Sequence, residues 1–156
     1  MPIAYRHHVI DITATALAYA AGEVVGGLLQ IPNFFNSMPG QSEIRRVRIS
    51  DAEKKGASFT LHIFNQQPAT PEDDGDPFDL DPTDFPLCDP SIFIGEQKTY
   101  SGFSGGYTDA KRLVEPVETS EAAASKTLFA QLVIEVATTW TNADSLKLGI
   151  WSIPVL

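Results

Sequence analysis

Apolar and polar positions alternate in short runs along most of this chain, and turn residues separate the runs. Ile10 and Ile12 alternate with Val9, Asp11 and Thr13, which predicts a first strand after His7 and His8. The alanines between Ile12 and Ala21 suit either a helix or an extended arm. Gly22-Glu23 reads as a turn into Val24-Val25-Gly26-Gly27-Leu28-Leu29, where a glycine doublet inside a strand predicts a bulge or a close backbone approach. After the turn at Pro39-Gly40, Val47 and Ile49 share one face of a strand over 44–49, with Arg46 and Arg48 on the other. Lys54-Lys55-Gly56 turns the chain again. Phe59, Leu61 and Ile63 then alternate with Thr60, His62 and Phe64 in a half-buried strand.

Alternation stops between Pro68 and Pro90, where six of the eleven prolines fall. A long loop excursion is expected over 66–91, with one helical turn where Asp81 caps and Pro82 opens the turn. Ile92 to Ile94 is apolar again, and Ser101 to Tyr107 reads as a glycine-rich loop. The alanines of 119–125 favour helix. From Lys126 to Thr138, however, Leu128, Ala130, Leu132, Ile134 and Val136 alternate with polar positions and predict a strand. Leu146, Leu148 and Ile150 mark a closing strand after the turn at Asn142-Ala143-Asp144. Six to eight antiparallel strands at this spacing predict an all-β domain, either an antiparallel β-sandwich or a jelly-roll-like barrel. At 156 residues, one domain over 1–156 is expected, with 1–8 and 152–156 as contact arms.

Charge sharpens this picture at one place. The net charge is −9, and eight of the twenty acids lie between 72 and 89, where there is no Lys or Arg. An acidic chain lacks the electrostatic footprint for nucleic acid or anionic lipid, so neither is an expected partner. Asp11 and Glu23 interrupt the least polar stretch, 9–31, which is therefore not a membrane span. The first residues show no secretory pattern of basic, apolar and small residues, and Cys88 has no second cysteine to pair with.

Candidate chemistry is thin. Gly102-Phe103-Ser104-Gly105-Gly106 satisfies G-x-S-x-G, but a nucleophile elbow needs a strand–turn–helix context and a downstream histidine. All three histidines, His7, His8 and His62, lie upstream. Asp73-Asp74-Gly75-Asp76 could gather oxygens for calcium, yet Phe78 falls where the third ligand would stand. His7 and His8 point to opposite faces of a strand, which does not suit zinc. Acidic neighbours make Cys88 a poor nucleophile. No catalytic residue, cofactor or metal is expected, and the acidic loop reads as solvated. Arg45, Arg46 and Arg48 form a basic patch suited to an acidic protein surface, including the 72–89 loop of a neighbouring copy.

Tyr19-Ala20-Ala21-Gly22-Glu23-Val24-Val25-Gly26-Gly27 resembles the Y-x-x-G-[DE]-V-V-G-G segment of a family of small virion structural proteins of tailed bacteriophages. In the same order, Leu61 to Phe64 with Pro68-Ala69-Thr70 resembles the family's strand and proline turn. Asp76-Pro77-Phe78, Leu80 to Asp84 and Ile94-Gly95 resemble its acidic loop, helical turn and return strand, and Leu146 to Ile150 resembles its closing L-x-L-G-I strand. The resemblance implies a capsid decoration or cement protein on the virion surface, made and assembled in the host cytoplasm. Its implied partners are the major capsid protein and further copies of itself. Such a protein needs anchors for neighbours, and Ile3, Tyr5, Phe34, Phe35, Trp151, Val155 and Leu156 supply them beside the three arginines. Another virion part is an alternative. A carbohydrate-binding module is a second, with Tyr100, Phe103, Tyr107 and Trp140 as stacking residues.

Overall fold

The computed structural model describes residues 5–35, 41–95, 97–99, 101, 102, 104–114 and 126–155. In chain order the strands are β1 (Arg6–Ile12), β2 (Ala18–Tyr19), β3 (Val24–Ile31), β4 (Gln41–Asp51), β5 (Phe59–Phe64), β6 (Cys88–Ile94), β7 (Lys98–Thr99), β8 (Ser104–Val114), β9 (Leu128–Ile134), β10 (Thr138–Thr139) and β11 (Leu146–Val155). They form a five-stranded sheet in the order β1-β11-β4-β8-β7 and a four-stranded sheet in the order β3-β9-β5-β6, with β2 and β10 paired beside them. The strand pairs are antiparallel. The fold is an antiparallel β-sandwich, as the alternation predicts.

Inward residues of both sheets make one core. Ile12, Ile44, Val47, Ile49, Leu146, Leu148 and Ile150 come from the five-stranded sheet. Val25, Leu29, Ile31, Phe59, Leu61, Ile63, Leu128, Ala130, Leu132 and Ile134 come from the other. β9 departs from simple alternation, because all seven of its residues are buried. Phe129, Gln131 and Val133 face away from the core, beside Phe64 and Val24 of the paired strands. A strand is buried on both faces only when a second layer covers it, and here the proline-rich excursion supplies that layer. The Gln131 amide donates to the Glu72 carbonyl at 2.9 Å, and His62 stacks on Phe78 with ring centroids 4.0 Å apart.

The excursion is therefore packed rather than simply solvated. Thr15 Oγ1, Tyr19 Oη and the Ala16 and Gly26 N–H groups all donate to the Asp74 carboxylate, at 2.6, 2.7, 2.9 and 2.6 Å. Asp84, buried in the fold, accepts from the Ala69 and Thr70 N–H groups and the Thr70 hydroxyl. Asp81 accepts from Thr83 N–H at 2.7 Å, but the N-cap of the helical turn is Asp84 rather than the expected Asp81. The short 3-10 turn forms just beyond it, at Phe85–Leu87, and the excursion ends where β6 begins at Cys88.

Local expectations are corrected at several points. Residues 12–21 form a turn and the two-residue β2, neither helix nor free arm. Of the expected arms, Ser152 to Val155 are sheet and pair with β4, and Arg6, His7 and His8 pair with Ser152, Trp151 and Ile150 of β11, while 1–4 and 156 lie outside the described residues. The glycine-rich 101–107 segment enters β8 at Ser104, and β9 ends at Ile134, four residues before the expected limit at Thr138. The stretch 119–125 lies outside the described residues.

The glycine doublet forms the predicted bulge, with the β3–β9 register shifting between Val25 and Leu28. Gly26 has φ +81°, and a Cβ there would stand 2.6 Å from Ile12 Cγ2. Gly26→Ala is expected to cost about 1–3 kcal/mol through left-handed strain and overpacking. An unfolding free energy in urea lowered by that amount would confirm it, and an unchanged midpoint would refute it.

Candidate interaction face

The outer face of the five-stranded sheet is built by three strands. In β4 the register skips Arg45 against both β11 and β8. That bulge shifts the side-chain phase, so Ile44 and then Val47 and Ile49 point inward while Arg46 and Arg48 are exposed. In β11, Leu146, Leu148 and Ile150 are buried, which turns Lys147, Gly149 and Trp151 outward. In β1, His7, Val9 and Asp11 are exposed.

Trp151 is the centre of this face. Its indole stacks on His7, with centroids 3.9 Å apart and planes 15° from parallel, and the Arg48 guanidinium lies 5.1 Å from its ring centroid. Gly149 makes room for the arrangement: a Cβ there would stand 3.2 Å from both His7 Nε2 and Trp151 Cζ3. Stacking of this kind holds a large side chain in one orientation, and an Arg–Trp contact at an exposed site contributes about 0.5–1 kcal/mol. Two shallow clefts open on the face, one of them beside the indole. Tyr5, Arg45, Arg46 and Trp151 line one of about 330 Å³. Arg48, Ser50, Ala52, Asp144, Ser145 and Lys147 line another of about 290 Å³.

The charges are partly balanced on the face itself. Arg45 Nε pairs with Glu43 at 2.9 Å, and Lys147 pairs with Asp11 at 3.0 Å. On the inner side of β1, His8 lies 5.2 Å from Phe34, and its pKa is lowered by burial first and then by Arg6 and His7.

Of the anchors proposed from sequence, Tyr5, Arg45, Arg46, Arg48 and Trp151 come together on this face. Phe34 and Phe35 do not. Both are fully buried in this chain's own core, edge to face with each other, so they are packing residues rather than surface anchors. Val155 ends β11 opposite Gln41, while Ile3 and Leu156 lie outside the described residues. Sequence reasoning missed His7, Lys147 and Gly149 as members of the face. The alternation of Lys147, Gly149 and Trp151 carried the signal for two of them.

Other candidates fall elsewhere. Trp140 is buried against Tyr19 and Phe59 and donates its indole N–H to Asp51 at 3.1 Å, so it has no face open to a sugar. Tyr100 and Phe103 lie outside the described residues. Ser104 starts an antiparallel strand rather than the helix a nucleophile elbow needs. The Asp74 oxygens are occupied by N–H and O–H donors, and among the described residues no group of three His, Cys, Asp or Glu side chains could hold a metal ion. Among those residues no helix is long and apolar enough to cross a membrane.

No family model and no curated protein matches the chain. Among solved structures, one from the cryo-electron microscopy of Mud crab tombus-like virus is matched at 12% identity and a TM-score of 0.27, over 99% of this chain and 89% of that one. Similarity at that level carries no argument about function.

Proposed function

We propose that this chain is a structural virion protein, a decoration or cement protein that binds the major capsid protein on the head of a tailed bacteriophage. The observation that carries the proposal is what its phage-like segments do in the fold. Tyr19 and Gly26 of the first segment donate to Asp74 in the acidic loop. The Val24 N–H donates to the Asp76 carbonyl at 2.8 Å, and the Phe78 N–H donates to the Gly22 carbonyl at 2.9 Å. His62 of the strand segment stacks on Phe78, and Ala69 and Thr70 of the proline turn bind Asp84. These segments are joints of a rigid frame. They leave the opposite sheet face, with Trp151 and its arginines, for a partner.

A cement protein works by bridging neighbours, so it needs a stiff body and exposed anchors more than a pocket. Capsids stripped of this protein, mixed with the purified chain, are expected to bind it saturably on sedimentation and to resist heat better afterwards. Absence of co-sedimentation, or gold labelling confined to the tail, would overturn the assignment to the head.

A further inference from the structure

We infer that the cleft lined by Tyr5, Arg45, Arg46 and Trp151 docks the Asp76-Pro77 turn of a second copy of this chain. The two features lie at opposite ends of the sandwich. Tyr5 of the cleft precedes Arg6, which bonds the Asn33 carbonyl beyond the C-terminal end of β3, whereas the turn pairs with Glu23 and Val24 at its N-terminal end, so the length of an eight-residue strand separates them within one molecule.

The chemistry of each side matches the other. Two arginines and two aromatic residues line the cleft. Tyr5 is 64% exposed and lies open at its mouth. Arg45 uses Nε for Glu43, and a guanidinium has further N–H donors to offer a carboxylate. On the other side, Asp73, Asp76, Pro77 and Asp79 are all exposed, and the 72–89 stretch contains no base to neutralise them.

The turn is held in place before any partner arrives. The Val24 N–H donates to the Asp76 carbonyl, the Asp76 N–H donates to the Asp73 carbonyl, and Pro77 bridges to Glu23. A pre-ordered turn loses little conformational entropy on docking, which favours association. A proline ring also presents a flat apolar face to the exposed Tyr5 while the flanking aspartates reach the arginines. Contact between different patches is head-to-tail, so it extends into rings or arrays rather than closing as a dimer.

Sedimentation velocity of the full chain, without capsids, tests this. The wild type is expected to gain mass with concentration at low salt and to return to monomer near ~0.5 M salt, where exposed charges are screened. Asp76→Lys with Asp79→Lys, and separately Arg45→Glu with Arg46→Glu, should each weaken association at least about tenfold. An equimolar mixture of the two reversed variants should restore it. Tyr5→Ser, at an exposed position that leaves the core untouched, should weaken it as well. A wild type that stays monomeric, a loop variant that assembles like wild type, or a Tyr5→Ser chain with undiminished association would each overturn the inference. So would reversed variants that fold but fail to associate when mixed.

Discussion

Trp140→Ala is expected to destabilise the fold by about 3–5 kcal/mol, the range for removing a large aromatic side chain from a core. Trp140 is 1% exposed. Its ring meets Tyr19 edge-on at 5.6 Å and lies nearly parallel to Phe59 at 6.4 Å, so its loss leaves a cavity between the two sheets. A second cost is polar. Asp51 is fully buried, and its carboxylate accepts from the Trp140 indole and from the Glu53 and Lys55 N–H groups. Without the indole, a buried acceptor loses one of its donors. Trp140→Phe separates the two effects, since it keeps most of the ring but not the N–H, and should cost about 1–3 kcal/mol. Urea unfolding followed by circular dichroism measures both. A Trp140→Ala protein with the wild-type midpoint would show that the indole is not a core residue.

Asp74→Ala should cost about 2–4 kcal/mol, with the lower end favoured because water reaches part of the carboxylate and makes up for lost donors. Four donors from three separate segments end on this one side chain, and its loss removes one of the main ties of the excursion to the sandwich. The acids beside it give the contrast. Asp73→Asn and Asp76→Asn, at exposed positions, should stay within about 0.5 kcal/mol of wild type. An acidic loop that was only a solvated face would tolerate all three substitutions equally, and such tolerance would refute the hub. The pH dependence has a definite sign. Burial alone would raise the Asp74 pKa, but the hydrogen bonds from Thr15, Gly26, Tyr19 and Ala16 together hold it below the ordinary value. A carboxyl depressed on folding adds stability above its unfolded pKa of about 4, and that stability is lost as pH falls through the folded value. Acid unfolding of Asp74→Asn should therefore show a shallower slope in that range.

A second carboxylate behaves in the same way at the same end of the sandwich, where Ala14 and Leu17 bond Ala143 and Trp140. Glu53 accepts from the N–H groups of Thr141 and Asn142 and from the hydroxyls of Thr141 and Ser145. Its pKa is lowered to about 2, chiefly by the Thr141 N–H. Together the three carboxylates Asp51, Glu53 and Asp74 tie loops to the sheets, and composition alone would have assigned them to a soluble surface.

The period-2 pattern determined the architecture. Leu146, Leu148 and Ile150, or Phe59, Leu61 and Ile63, declare an inward face because a strand's side chains alternate by local sterics, whatever the partner strand. The glycine doublet at 26–27 likewise announced its bulge, since only the backbone conformation of those residues was at stake. β8 was not legible, because Ser104 to Val114 has little apolar alternation and is a strand by virtue of its pairing with β4 and β7. The bulge at Arg45 was visible only as a break in phase between Ile44 and Val47. Tertiary structure alone decided that Phe34, Phe35 and Trp140 are core, that His7 stacks on Trp151, and that Asp74 is a hub while Asp73 is not. The donors to Asp74 lie 48 to 59 residues away along the chain. A carboxylate's neighbours in sequence set its average polarity, but the hydrogen bonds that bury and orient it exist only once distant segments have closed around it.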